Sequence, residues 1–176
     1  MKRILLVYAS KTGTTQDTAT EITKYLSIPC DLYNCRAELL DGEKAVQVSV
    51  KPDGLNWDTY GMVIIGTAMY MGSPMKEIKL FCKKFLEKLI QKSLVLYSCG
   101  IGSETEDKKY IWNNLPKEIT HKVMLYRHLG GEIREDRMNA FARFAMREYV
   151  KQHGPATGID HGRIKEFSNE IMKIMS

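Results

Sequence analysis

Short continuous apolar runs recur along this chain, and most are followed by a segment whose apolar residues have helical spacing. The clearest runs are residues 4–7, 62–65 and 94–96. Runs of this length without polar alternation are typical of strands that are covered on both faces, as in parallel sheets. Consecutive parallel strands joined by helices require right-handed crossovers. The sequence therefore predicts a parallel sheet with helices on both faces.

The same pattern gives the order of the elements. Strands are predicted at residues 3–8, 30–33, 62–66, 94–99 and 123–129, and helices at residues 14–26, 73–89, 104–115, 138–151 and 164–175. Ser73 is expected to cap the second helix, with Pro74 at its first position. Alternating Val46, Val48 and Val50 predict an edge strand or an extended insertion. We expect one doubly wound α/β domain, residues 1–176, with an extra helix before the C-terminal helix.

Composition supports a globular protein with a real core. The chain has 176 residues, of which 44% are hydrophobic and 27% are charged. Its apolar runs are far shorter than the roughly 20 residues of a membrane helix, and no signal peptide is recognisable. Its four cysteines form no CxxC pair and are expected to be reduced thiols. These features predict a cytoplasmic protein, with peripheral contact to the inner face of a membrane left open.

Charge and histidine spacing narrow the candidate partners. The formal net charge is +5, and residues 121–151 hold seven Lys or Arg against four acids. This basic stretch suits an acidic partner, an anionic substrate or a membrane surface, although a solvated basic face is the commoner explanation. We expect no nucleic-acid partner. The four histidines stand apart from each other and from carboxylates at ligand spacing, so no metal site is expected.

The segment after the first strand carries the strongest chemical signal. Hydroxyl groups surround a glycine at the start of the first helix, where backbone N–H groups lack partners and the helix dipole favours an anion. The segment matches neither GxxxxGK[ST] nor GxGxxG. Ordinary helix capping by threonine is the alternative to a phosphate site. The residues are Ser10, Lys11, Thr12, Gly13, Thr14 and Thr15.

The pattern Ser10-x-Thr12-Gly13-x-Thr15 resembles the phosphate loop of the flavodoxin family, in register after the first strand. The chain is similar, more narrowly, to the menaquinone-dependent protoporphyrinogen dehydrogenase branch through residues 66–72, residues 130–134 and the helix that follows. The resemblance covers most of the chain. It implies a flavodoxin-like fold with five parallel strands and FMN at the strand ends. Residues 10–15 would hold the FMN phosphate, and the flavin would carry the electrons, so no catalytic side chain is expected.

The resemblance also implies two walls for the isoalloxazine ring. One wall would consist of Thr67, Ala68, Met69, Tyr70, Met71 and Gly72, and the other of Ser98, Cys99, Gly100 and Gly102. A flat ring needs a stacking surface and backbone donors, and Tyr70 between two methionines is the candidate surface. The alternative is that Tyr70 only covers a hydrophobic seam.

The segment after the fifth strand combines a Gly-Gly break, arginines and an amphipathic basic helix. In the dehydrogenase interpretation Arg134, Arg137 and Arg143 would meet porphyrinogen propionates, and Phe141 would meet the apolar macrocycle, a quinone or a membrane. We expect these docking residues to act independently of the phosphate loop, which is distant in sequence. The alternative is a helix that packs its aromatic face on the domain.

Three functions remain. The first is an FMN-dependent dehydrogenase that passes electrons from a porphyrinogen or similar donor to a quinone. The second is a non-catalytic electron carrier with a protein partner, and the third is a partner-binding domain without redox turnover. Carriers of this family are typically acidic, so the net charge of +5 disfavours the second. The phosphate-loop hydroxyls disfavour the third.

Overall fold

Five parallel strands form the centre of the molecule. A computed structural model describes residues 2–36 and 54–176, and the alternating valines at 46, 48 and 50 lie outside these ranges. The strands of the main sheet are β1 (Arg3–Ala9), β2 (Cys30–Asn34), β3 (Tyr60–Tyr70), β5 (Ser93–Cys99) and β6 (Val123–His128), with the short strand β4 (Ser73–Pro74) paired to β3.

The strand order is β2-β1-β3-β5-β6, and every neighbouring pair is parallel. The register places Val7 beside Ile65, and Ile65 beside Leu96. The order reverses direction at β1, because β2 lies on one side of β1 while β3, β5 and β6 follow on the other. The predicted five-stranded, doubly wound α/β fold is therefore confirmed.

Helices cover both faces of this sheet. They are α1 (Thr14–Tyr25), α2 (Lys76–Lys84), α3 (Leu86–Leu89), α4 (Glu104–Asn114), α5 (Lys117–Thr120), α6 (Ala140–His153) and α7 (His161–Met175). Two-residue strands β7 (Gly130–Gly131) and β8 (Gly158–Ile159) form a small antiparallel pair on either side of α6 in the chain. The predicted extra helix before the C-terminal helix is α6.

The alternation of side chains along β1 divides the core into two clusters. Leu5 and Val7 pack with residues of α2 to α5 on one face, whereas Ile4 and Leu6 pack with residues of α1 and α7 on the other. All four side chains are fully buried. Burial on both faces explains why these strands read as continuous apolar runs.

The predicted start of the second helix is wrong. Strand β3 continues to Tyr70 and reverses through Met71 and Gly72, whose φ angles of 49° and 72° suit the tight turn of a hairpin. Ser73 and Pro74 pair with β3, so Ser73 is not a capping residue and α2 begins only at Lys76. The helix also breaks at Phe85, giving α2 and α3 instead of one helix.

Candidate functional site

One cavity lies at the carboxyl ends of β1, β3 and β5, where an open parallel sheet binds its ligands. Three loops that are far apart in sequence meet there. The predicted residues that line the cavity are Ser10, Lys11, Thr12, Thr14, Thr15, Ala68, Met69, Tyr70, Met71, Gly72, Cys99, Gly100 and Gly102. The structure thus brings together most of the predicted cofactor residues.

The loop between β1 and α1 is shaped by Gly13. Gly13 has a φ of 100°, and its N–H donates to the Ser10 hydroxyl at 3.0 Å. Helix α1 begins directly after it, and no side chain caps the helix. The structure therefore contradicts the alternative interpretation, in which threonine side chains cap this helix. Free N–H groups at the first turn remain available to an anion.

Two hydroxyl groups of this loop are buried without a hydrogen-bond partner. They are Oγ1 of Thr14 and Oγ1 of Thr15, and both residues line the cavity. The Cys99 thiol lies beside Thr15 but is too weak a hydrogen-bonding group to satisfy it. An unpaired buried hydroxyl costs about 1–3 kcal/mol. A ligand with acceptor oxygens would recover this energy.

Two arginines that we expected to act independently of this loop contact it instead. Arg137 Nη1 donates to the carbonyl oxygen of Thr12 at 3.0 Å. Arg134 Nη2 lies 2.7 Å from Asp17 Oδ2, in the first turn of α1. The expectation was wrong because β6 runs parallel to β1, so the segment that follows β6 leaves the sheet at the same end as the loop that follows β1. Sequence distance does not report this proximity.

Gly13 is the point at which both arginines approach the loop. A Cβ on this residue would overlap Arg137 Nη1 and would lie 2.9 Å from Arg134 Nη1. The guanidinium groups therefore rest against the backbone of the loop. The positive φ favours glycine here, whereas the approaching atoms are the ends of flexible side chains that can shift.

Tyr70 forms one side of the cavity. Lys11 Nζ lies 4.3 Å from the centroid of its ring, at cation–π distance. Gly100, directly after β5, approaches the Met69 side chain on β3. A Cβ on Gly100 would lie 3.1 Å from Met69 Cβ. Burial raises the pKa of the Cys99 thiol to about 12, so this residue stays protonated at neutral pH. Cys99 therefore adds a neutral surface to the cavity, whereas Lys11 places a positive charge beside Tyr70.

Residues 131–149, here called the covering segment, close the remaining side of the cavity. Its lining residues are Gly131, Glu132, Ile133, Met138, Ala145, Met146 and Tyr149. Sequence reasoning did not place them at the cofactor site, although the Gly-Gly break after β6 indicated a loop at this edge. With the segment in place the cavity measures about 70 Å³, whereas small-molecule sites usually exceed roughly 300 Å³. Binding of a cofactor would therefore require movement of the cavity walls, of which the covering segment is one.

Three predicted cofactor residues lie outside the cavity lining. Gly13 provides the turn of the loop and is in contact with the two arginines. Thr67 is fully buried, and its Oγ1 accepts the N–H of Met75 at 3.0 Å. Ser98 is also fully buried on the opposite side of β5 from Cys99. Thr67 and Ser98 therefore hold the strand ends in place and do not face a ligand.

Ser98 belongs to a buried polar cluster with Asp107, Tyr126 and His128. His128 Nδ1 lies 2.9 Å from Asp107 Oδ2, and Ser98 Oγ lies 2.9 Å from the same oxygen. His128 and Asp107 are 21 positions apart in the sequence, and the fold brings them together. Within residues 2–36 and 54–176, no group of three or more His, Cys, Asp or Glu residues can hold a metal ion.

The remaining docking predictions fall on α6. Phe141 is 82% exposed and Phe144 is 66% exposed. Arg143 donates from Nη2 to the carbonyl oxygen of Met138, and its Nε is buried without a partner. In the part of the chain that the structure describes, no helix is long and apolar enough to cross a membrane.

Several solved structures are similar to this fold. The Fusobacterium nucleatum flavodoxin bound to flavin mononucleotide is similar over 99% of each chain, at 16% identity and a TM-score of 0.54. A flavoprotein in complex with FMN from Lactobacillus acidophilus is similar over 73% of this chain and 93% of its own, at 14% identity and a TM-score of 0.53. The Streptococcus pneumoniae TIGR4 flavodoxin covers 97% of this chain and 98% of its own, at 15% identity and a TM-score of 0.53. At these identities the likeness shows the fold alone.

Sequence comparison gives the family. None of the curated proteins matches the chain. A family model described as a flavodoxin domain matches residues 5–160, which include the phosphate loop, both predicted ring walls and the covering segment. The chain therefore belongs to the flavodoxin-domain family.

Proposed function

We propose that this protein binds FMN and transfers electrons through it. The observation that carries the proposal is the pair of unpartnered buried hydroxyls, on Thr14 and Thr15, at the start of a helix beneath a cavity at the strand ends. A phosphate monoester supplies acceptor oxygens for these hydroxyls and for the free N–H groups of the first turn. The similar proteins from Fusobacterium nucleatum and Lactobacillus acidophilus that hold this cofactor support the same choice.

The chain's own groups have distinct tasks in this proposal. The loop of residues 10–15 binds the phosphate, and Tyr70 offers an apolar surface to one face of the ring. The backbone at Gly100 and Gly102 forms part of the second wall of the ring site. The covering segment excludes water from the cavity. When bound, FMN supplies the electron-transfer chemistry, which the side chains do not.

The visible spectrum tests the proposal. Purified protein titrated with FMN should give a saturable change in flavin absorbance and quenching of flavin fluorescence, with a stoichiometry of one. A titration with FAD or NAD should give weaker binding or none, because the loop suits a terminal phosphate. Replacing Thr12 and Thr15 together by Ala should weaken FMN binding about 5- to 150-fold. No flavin binding by the parent protein would refute the proposal.

We further propose an oxidoreductase of the protoporphyrinogen dehydrogenase type. In this reaction a porphyrinogen loses electrons and protons in pairs, and each pair of electrons, with two protons, reduces one quinone to a quinol. The exposed Phe141 and Phe144 on α6 support it, because they give an apolar docking surface beside the covered cavity. Arg143 stays in this docking surface, whereas Arg134 and Arg137 face the phosphate loop. The same surface is the candidate for peripheral contact with a membrane.

Replacing Phe141 and Phe144 together by Ser tests this docking surface. Quinone-dependent oxidation of a porphyrinogen under anaerobic conditions should fall, while FMN affinity stays unchanged. Leu80→Ser is the matched control, because Leu80 is an exposed apolar residue, 52% accessible, on α2. Cosedimentation with anionic vesicles separates a membrane role from a substrate role. If the parent protein lacks quinone-dependent oxidation, the dehydrogenase assignment fails.

The second candidate is a flavodoxin-type electron carrier that passes single electrons to a protein partner. Its support is the likeness in fold to flavodoxins from Fusobacterium nucleatum and Streptococcus pneumoniae. The net charge of +5 argues against it, because it would repel a basic redox partner. Efficient single-electron transfer to a reductase, without quinone-dependent oxidation, would favour the carrier.

A further inference from the structure

We propose that Arg134 and Arg137 complete the phosphate site from outside the loop of residues 10–15. They would make the protein select a flavin phosphate monoester over the dephosphorylated flavin. This inference rests on the proposed function and assigns it two residues that lie outside the loop. It also gives the covering segment a role in cofactor retention. The ligand class is a flavin with a terminal phosphate.

The position of the two guanidinium groups is the first argument. Both lie against Gly13, at the point where α1 begins and its N–H groups are free. Arg137 reaches this point by a hydrogen bond to Thr12, and Arg134 by an ion pair with Asp17. Neither contact joins the arginines to each other. Arg137 adds a positive charge beside the positive end of the helix dipole, and a bound anion would stabilise this arrangement.

The charge around each arginine is the second argument. Arg134 is neutralised by Asp17 at 2.7 Å and by Glu132 at 2.9 Å. The nearest carboxylate to Arg137 among the described residues is that of Asp136, at 3.9 Å, and both side chains are largely exposed. The positive charge of Arg137 is therefore the less compensated of the two. A bound phosphate dianion would therefore gain more electrostatic stabilisation from Arg137 than from Arg134.

The unpartnered hydroxyls of Thr14 and Thr15 are independent evidence for a ligand at this place. They line the cavity, whereas the arginines lie outside its lining and contact the same loop at Gly13 and Thr12. A phosphate presents several acceptor oxygens, and a guanidinium presents a planar fork of donors that matches two of them. Hydroxyl and guanidinium donors gathered at one loop would therefore share a phosphate between them.

The same contacts link phosphate binding to closure over the ring. Arg134 and Arg137 belong to the covering segment, whose Met138 and Met146 line the cavity. A phosphate that holds the arginines also restrains this segment in the position that it takes with FMN bound. Loss of the phosphate contacts should therefore speed the release of FMN as well as lower its affinity.

Calorimetric titration with FMN and with riboflavin tests the proposal. Arg137→Gln should raise the dissociation constant for FMN about 10- to 150-fold and leave that for riboflavin within about twofold. Arg137→Lys keeps the charge but loses the fork, and should give an intermediate loss. The FMN affinity of Arg137→Gln should also depend less on salt than that of the parent protein. Arg134→Gln should act in the same direction.

Arg127→Gln is the matched control. Arg127 lies on β6, outside the covering segment, and its Nη2 pairs with Glu170 of α7 at 2.7 Å. This variant should bind both ligands as the parent protein does. Circular dichroism and thermal unfolding establish that each variant is folded.

Three results would overturn the inference. An unchanged FMN affinity in folded Arg137→Gln and Arg134→Gln would remove the arginines from the site while leaving the proposed function intact. An equal loss for FMN and riboflavin would show that the variants disturb the whole cavity. A parent protein that binds neither ligand would refute the proposed function and this inference with it.

Discussion

Thr15→Val should stabilise the cofactor-free protein and weaken FMN binding at the same time. The substitution keeps the branched shape and removes a hydroxyl that is fully buried and unpartnered. Removing such a group avoids a desolvation penalty of about 1–3 kcal/mol, of which the nearby thiol offsets a part. We expect a gain of about 1 kcal/mol, which corresponds to a rise in melting temperature of about 2–4 °C for a chain of this size.

The effect on binding has the opposite sign. A hydrogen bond to a charged phosphate contributes about 1.5–3 kcal/mol, so losing it should weaken FMN binding about 10- to 150-fold. Thermal unfolding without cofactor gives the first quantity, and calorimetric titration with FMN gives the second. Both are measured on the same preparation.

Thr18→Val, one turn further along α1, is the control. The Thr18 hydroxyl is also fully buried, but it donates to the carbonyl oxygen of Thr14 at 3.0 Å. Losing this bond should destabilise the protein by about 0.5–1.5 kcal/mol and leave FMN affinity unchanged. If Thr15→Val destabilises the cofactor-free protein as Thr18→Val does, and binds FMN normally, the reasoning about the unpartnered hydroxyl is wrong.

Three further predictions concern the ring wall, the core and the sheet edge. Tyr70→Leu should weaken FMN and riboflavin alike, about 3- to 10-fold in fluorescence titrations, because it removes an aromatic surface and not a phosphate contact. Gly66→Ala should lower the free energy of unfolding by about 1–3 kcal/mol or more in urea titrations, because the new Cβ would overlap the buried ring of Tyr97 on the neighbouring strand. The hydrogen bond from Arg3 lowers the pKa of Asp31 below its usual value, so its stabilising effect is present above pH 4 or so and is lost as the pH falls through the lowered value. Asp31→Asn should therefore reduce stability at pH 7, and the difference from the parent protein should shrink in unfolding experiments at lower pH.

The sheet could be predicted from the sequence because its strands are covered on both faces. Such strands leave continuous apolar runs, and the helices between them leave periodic patterns. The hairpin at Met71 and Gly72 was missed because a serine followed by a proline is also a common helix start. Here the antiparallel pairing of Ser73 with Tyr70 decides the local structure. That pairing depends on how far β3 extends, which a local pattern does not show.

The cofactor site likewise contains residues that could be predicted from the sequence and residues that could not. Residues of the phosphate loop could be predicted because they are contiguous and their chemistry is local. The contact of Arg137 with Thr12 could not, since it joins residues 125 positions apart. Ser98 shows a different limit: it stands beside two cavity residues in sequence, but successive side chains of a strand point to opposite faces. Its hydroxyl therefore enters the buried cluster with Asp107 and not the cavity.

A crystal structure of the protein with FMN tests the central claim most directly. The account predicts one FMN at the carboxyl ends of β1, β3 and β5, with the phosphate within hydrogen-bond distance of the hydroxyls of residues 10–15 and the ring beside Tyr70. It also predicts that the covering segment is displaced to make room and that its arginines contact the phosphate. A phosphate bound elsewhere, with the Thr14 and Thr15 hydroxyls still unpartnered, would contradict it.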